Sequence, residues 1–214
     1  NMLGHIMLDH DGNLIVASTK YVSPDKFMLV EKYSPSGGLI WSLPINTPLY
    51  NQEEVLALSI DDQNNIYITG KDADSGLLAA QYTVKVSNTG SLVWGSSFGN
   101  PTMESQGNAI AVFDSNAVYT VGTAEFAGSA PTTRIIKYGA NGDTTWVRTF
   151  KYSTYAGTWP NSQDYGKKIQ LDDAGNVYVL SQALFPDPAT ILKYDPSGSL
   201  LWVSEIDPAN SPNI

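Results

Sequence analysis

The chain has 214 residues, room for one large all-β domain or one or two ordinary ones. A formal charge of −9 with only 12 Lys and Arg argues against nucleic acid, where affinity rests on cations neutralising phosphates, and against anionic lipid. Cysteine is absent, which removes disulfides, thiolate catalysis and cysteine-bound zinc.

Charged residues make up only 15% of the chain, low for a soluble domain, while Ser, Thr, Asn, Gly and Tyr abound. That balance points to a β-rich extracellular protein rather than a cytosolic helical one. No apolar run approaches 18 residues, so no membrane insertion is expected. The opening Asn1-Met2 reads as the start of a piece of something longer.

The first copy of a repeat opens with LDHDGNLIVAS from Leu8 and continues to KYSPSGGLIW, residues 32–41. In the second copy IDDQNNIYITG begins at Ile60 and KVSNTGSLVW spans 85–94. The third has VFDSNAVYTVG from Val112 and KYGANGDTTW at 137–146; the fourth has LDDAGNVYVLS from Leu171 and KYDPSGSLLW at 193–202. Trp41, Trp94, Trp146 and Trp202 stand 53, 52 and 56 residues apart, each with a Gly four positions before it. Two markers in step through four copies make a repeat architecture.

Each copy reads as four short strands. An apolar piece such as 56–60 or 108–112 comes first, then an Asp/Asn/Gly turn and a β-branched, aromatic second strand such as 66–69 or 118–121. The third strand ends at the repeated Lys and the fourth carries the Trp. No stretch sustains a helical period. Four-stranded units with a period near fifty and one aromatic marker each describe propeller blades. The expectation is an all-β chain, a β-propeller of four antiparallel four-stranded blades, at about 5–55, 56–108, 109–167 and 168–214. The Gly before each Trp is expected at positive φ, and Trp41, Trp94, Trp146 and Trp202 are expected to wedge between blades as structural residues. In the third copy Phe113 stands where the others have Asp and Ala117 where they have Asn, so its first turn is expected to differ in shape.

The phrases LDDAGNVYVLS and ILKYDPSGSLLWVSEI resemble the SBBP-type β-propeller repeat of bacterial secreted and surface proteins, and the resemblance covers the whole chain as four consecutive copies. It implies a bacterial extracellular or cell-surface location and says little about activity. The frame is also partly similar to the blades of pyrroloquinoline quinone enzymes, which place a Gly four before a Trp. It does not fit the sialidase Asp-box.

In a blade whose strands run up and down, the first and third turns share one face. The second-to-third loops and the blade-to-blade connections share the other. The first face is uniform here; the second varies, through 44–55, 99–108, 151–167, 19–25, 71–76, 123–132 and 182–189. Variable loops are where a repeat scaffold carries its particular function. The longest connection, KYSTYAGTWPNSQDYGK from Lys151, holds Tyr152, Tyr155, Trp159, Asn161, Asp164 and Tyr165. Flat aromatics beside amides and a carboxylate suit a carbohydrate or protein ligand. The alternative is a connection that buries its own aromatics as a small core.

Asp9-His10-Asp11-Gly12-Asn13 resembles part of a calcium loop, but the twelfth place is Lys20, and equivalent acids recur at Asp61-Asp62 and Asp172-Asp173. Carboxylates capping backbone N–H groups explain that recurrence better than a metal. His5 belongs on an inner strand and His10 in an exposed turn, with no catalytic role expected for either. Glu53, Glu54, Glu104 and Asp164 precede inner strands at the channel mouth, where a glycosidase would need facing carboxylates; a solvated acidic rim is the commoner explanation. Lys32, Lys85, Lys137 and Lys193 recur at strand ends as solvated or turn-bonding residues. No catalytic residue, metal or cofactor is assigned. The function expected is a non-enzymatic extracellular module for protein or glycan binding or for structural assembly, with self-association through blade faces as one partner mode. A glycan-acting or quinoprotein-like enzyme and an architectural spacer or fibre subunit are the alternatives. Whether four blades close a ring, pair as two copies or belong to a larger propeller is open.

Overall fold

The computed structural model describes residues 4–46, 52–73, 78–99, 103–152, 154, 163–184 and 188–206. It contains four antiparallel sheets of four strands, each in chain order. The first holds β1 (Gly4–Leu8), β2 (Leu14–Val22), β3 (Asp25–Tyr33) and β4 (Leu39–Ile45); the second holds β5 (Glu54–Ile60), β6 (Ile66–Asp72), β7 (Ala80–Val86) and β8 (Leu92–Phe98). The third holds β9 (Met103–Asp114), β10 (Ala117–Phe126), β11 (Thr132–Tyr138) and β12 (Thr144–Phe150). The fourth holds β13 (Asp164–Leu171), β14 (Val177–Ala183), β15 (Ala189–Tyr194) and β16 (Leu200–Ile206). Strand β1 packs on β5, β5 on β9 and β9 on β13, and the four line one central cavity. These are propeller blades, and the fold is an all-β β-propeller of four.

The unvarying Lys-to-Trp spacing has a register behind it. Lys32 faces Trp41 across the β3–β4 ladder, and Lys85–Trp94, Lys137–Trp146 and Lys193–Trp202 do the same, each with a register shift at the next residue. A changed spacing would put the Trp on the other face of its sheet. The glycines of this hairpin, Gly37, Gly90, Gly142 and Gly198, all have φ between 80° and 86°.

The first turn is held by its leading carboxylate. Asp9 Oδ1 accepts from the N–H of Asp11 at 3.0 Å and of Asn13 at 2.7 Å, and the Asn13 amide donates to both carboxylate oxygens. Asp61 and Asp172 repeat the arrangement with Asn65 and Asn176. In the third blade the turn is shorter and displaced: Asp114 pairs directly with Ala117, a register shift follows, and Asp114 accepts from the Asn116 N–H at 2.7 Å. Innermost strands run further than their apolar pieces. Strand β5 takes in Glu54 and β9 extends from Met103, because the ladder to β6 or β10 continues past a register shift.

Three apolar clusters fill the three seams between consecutive blades. Ile15, Met28, Val30, Leu58, Ile68 and Val84 join the first blade to the second. Tyr67, Trp94, Ile110, Ile136 and Tyr138 join the second to the third. Tyr119, Trp146, Ile169, Val179, Leu192 and Tyr194 join the third to the fourth. Strands β6 and β10, sandwiched on both sides, are almost wholly buried; β2 and β14, in the end blades, alternate buried with part-exposed residues. Alternation is what a sheet shows when only one of its faces is covered. Among the described residues no comparable packing joins β13 to β1, so the described strands form an arc rather than a sealed ring.

Candidate functional site

The seams share one motif. The Trp41 indole lies against Gly90 of the second blade and donates its Nε1–H to the Asn88 carbonyl at 3.2 Å. Trp94 lies against Gly142, and Trp146 against Gly198, with Trp146 Nε1–H donating to the Pro196 carbonyl at 3.2 Å. Each tryptophan therefore covers the positive-φ glycine of the next blade, where a missing side chain leaves room for the ring. Trp202 has no such partner. It is 42% exposed, against 8% for Trp94 and 9% for Trp146, and nothing lies within 4 Å of where a Gly37 Cβ would be.

The opposite end of the arc matches it. Ile6 of β1 is 70% exposed, whereas its equivalents Leu58, Ile110 and Ile169 are 9%, 9% and 4%. Leu8, Leu14, Val16, Tyr33, Pro35 and Gly37 line an apolar slot of about 580 Å³ open to solvent. Tyr33 is half-buried there, while Val86, Tyr138 and Tyr194 at the same place in the other blades are fully covered. Sealing such side chains is worth about 2 kcal/mol each.

Of the frame lysines, Lys32 and Lys193 bond the carboxylate of the first turn, while Lys137 donates to the Pro196 carbonyl of the next blade at 3.0 Å. Lys32 is buried with its ammonium 2.8 Å from Asp9, and Lys193 is 3.5 Å from Asp172. Lys85, Lys137 and Lys193 also sit over the rings of Tyr67, Tyr119 and Tyr178, at 5.2, 5.2 and 4.7 Å from the centroid. Burial alone pushes the Asp9 carboxyl up, but the Lys32 ammonium and the Asn13 hydrogen bonds overcome it and hold the pKa at about 2. Both Asp9 oxygens already accept hydrogen bonds from within the blade, leaving a cation nothing it would not have to displace.

The central cavity, about 480 Å³, is walled by His5, Ser59, Asn108, Lys168, Gln170 and apolar side chains of the four innermost strands. Burial and the facing Lys168 both lower the His5 pKa. Among the described residues no carboxylate stands in this wall. Glu54 reaches Lys26 at 2.6 Å and Lys71 at 3.4 Å, Glu53 is buried beside the first seam, and Glu104 is solvated on β9.

Of the aromatic connection, Tyr155, Trp159 and Asn161 lie outside the described residues. Tyr152 is packed into the cluster between the third and fourth blades, and its hydroxyl is 2.9 Å from Glu205. Asp164 is buried, its N–H donating to the Pro131 carbonyl and its Oδ2 accepting from the Tyr152 N–H at 3.2 Å. Tyr165 is half-buried, donates to Gln163 Oε1 at 2.7 Å and carries the Lys167 ammonium 5.0 Å from its ring centroid. With Glu104, Ser105, Gln106, Thr123 and Glu125 it lines a small cavity of about 140 Å³.

Two features escape a reading of the sequence. One is the slot, whose apolar residues look like ordinary core until their neighbour proves to be solvent. The other is the buried Asp72, whose pKa is raised to about 6 by burial, against a hydrogen bond from Ser97 and with help from the charge of Glu53. Tyr82 beside them is pushed up to about 12 by burial and by both carboxylates.

The chain matches no protein-family model and no curated protein sequence. Solved structures resemble it in fold. A protein of unknown function from Dyadobacter fermentans aligns over 94% of this chain and 68% of its own, with a TM-score of 0.60 at 10% identity. An alpha-L-arabinofuranosidase from Clostridium thermocellum aligns over 94% and 71%, with a TM-score of 0.49 at 13% identity. A eukaryotic initiation factor aligns over 94% and 55%, with a TM-score of 0.48 at 10% identity. These likenesses concern the fold alone.

Proposed function

We propose that this chain is a non-enzymatic scaffold module of a bacterial extracellular protein, of the SBBP-repeat type, that works by assembly through its end blades. The observation that carries the reading is the pair of uncovered apolar faces, the Trp202 side of the fourth blade and the Leu8–Val16–Tyr33 side of the first. Contiguous apolar surface of this kind marks a protein-contact site. The absence of carboxylates from the described channel wall weighs in the same direction, because glycoside chemistry needs two of them facing each other.

A second reading places a glycan or protein ligand on the variable face. It is favoured by the cavity beside Tyr165, where a part-exposed ring stands next to Glu104, Gln106 and Glu125. Tyr155, Trp159 and Asn161 belong to the same proposal, with the buried Asp164 and Tyr152 supporting the loop and core rather than offering a contact surface.

The purified chain incubated with a panel of aryl glycosides should give no turnover above buffer; turnover would displace the non-enzymatic reading. On a glycan array, binding that Tyr165→Ala abolishes would put the variable face ahead of the end blades.

A further inference from the structure

The two uncovered faces are complementary halves of the contact that the chain makes three times within itself. Pro35 occupies the place of Asn88 and Pro196, whose carbonyls accept from Trp41 and Trp146. Gly37, at φ 86°, occupies the place of Gly90, Gly142 and Gly198. Leu8 and Val16 stand where Ile60 and Ile68 meet the first blade, and Ile6 where Leu58 does. Trp202 is the frame tryptophan left over at the other end, with Tyr178 at 6.0 Å backing its ring as Tyr67 and Tyr119 back Trp94 and Trp146. Among the described residues, the slot and Trp202 are the only two parts of this motif without their counterpart.

We propose that copies of this chain associate head to tail, the Trp202 indole of one seated over Gly37 of another with its Nε1–H on the Pro35 carbonyl. The contact is heterologous: donor face and slot are different surfaces, so two copies close a two-chain ring if the angles allow, and otherwise the series runs on. A second copy is the occupant because the slot repeats the position of the sites already filled by Trp41, Trp94 and Trp146, and this chain itself presents the matching unfilled face. Residue class by residue class, the slot matches the Trp146 site of Leu171, Val177, Val179, Tyr194, Pro196 and Gly198. The inference rests on the assembly reading above and names its partner. Each copy carries a charge of −9 while the joined faces are apolar, so association should strengthen as salt screens the repulsion.

The test is light scattering of the 214-residue chain over a wide concentration range, with Trp202→Ala, Leu8→Glu and their equimolar mixture alongside. Both substituted side chains are exposed, so the circular dichroism spectrum and thermal midpoint of dilute samples check that each variant is folded. The wild type should rise from 23.1 kDa to at least twice that, and either variant alone should stay at one chain. The mixture should regain a two-chain species, because Trp202→Ala keeps its slot and Leu8→Glu keeps its tryptophan. A wild type monomeric at every concentration would overturn the proposal, as would a Leu8→Glu variant that associates as well as wild type through Trp202 alone. Neither failure touches the glycosidase assay, so the non-enzymatic reading stands or falls separately.

Discussion

Trp94 and Gly142 belong to different blades, yet a Cβ placed on Gly142 would come within 2.7 Å of the Trp94 indole. The glycine is required twice over, by its φ of 80° and by the ring that covers it. Gly142→Ala should therefore destabilise the chain by about 3 kcal/mol, the sum of left-handed strain and displacement of a packed ring. Gly37→Ala in the dilute chain should cost only about 1 kcal/mol, since strain alone acts there. Urea unfolding followed by tryptophan fluorescence measures both, and equal costs would refute the covered-glycine account.

Asp9 holds the first hairpin and meets Lys32 in a buried pair at 2.8 Å. Asp9→Asn should cost about 3 kcal/mol, because it leaves the Lys32 ammonium buried without its charge partner. The folded-state pKa of Asp9 lies below its ordinary value of 3.8, at about 2. Its contribution is therefore complete above pH 4 and is lost as the pH falls from 4 towards 2. Calcium or a chelator should leave the thermal midpoint unchanged, and a clear shift on adding the ion would show that the turn opens for it.

Asp72 behaves in the opposite sense. Its folded pKa of about 6 exceeds the ordinary 3.8, so the folded chain holds the proton more tightly. Stability from this group is complete below pH 4 and is lost as the pH rises to 6, a change of about 3 kcal/mol. Asp72→Asn should flatten the stability curve between pH 4 and 6 and raise the melting temperature at pH 7. A curve of unchanged slope in the variant would assign the titration to another group.

Gln81 is fully buried and donates to the Thr120 hydroxyl at 2.6 Å, linking the second blade to the third. Gln81→Leu should cost about 2 kcal/mol, through the amide's lost hydrogen bond and the loss of one of the Thr120 hydroxyl's partners, Tyr138 being the other. Adding Thr120→Val should recover part of that loss, and strict additivity in the double variant would show that the two side chains are not coupled.

The blades were legible because two cross-strand facts leave marks at fixed distances along the chain. A Lys facing a Trp, with a glycine turn between, survives only at one spacing. The displaced third turn was legible too, since an Asn one position early and a missing Asp cannot build the Asp9-type cap. What the sequence did not disclose concerns neighbours. Ile6 and Ile169 are the same residue type at the same repeat position, and only the presence or absence of a blade beside them separates 70% exposure from 4%. Likewise Lys85 reads as a surface lysine until Tyr67 is found beneath its ammonium. Asp72 is pushed up because its strand end is covered, a consequence of packing that no local pattern records.

Every seam follows one directional rule: a tryptophan from the earlier blade covers a glycine in the later one. The instruction for adding a unit is thus complete within a unit, and none of the described residues encodes the total. A gene could gain or lose one stretch of about fifty codons and still specify sound joints throughout. Duplication and deletion of whole blades would then be nearly neutral changes in such a lineage, with length drifting freely until closure of the circle or a partner sets the count.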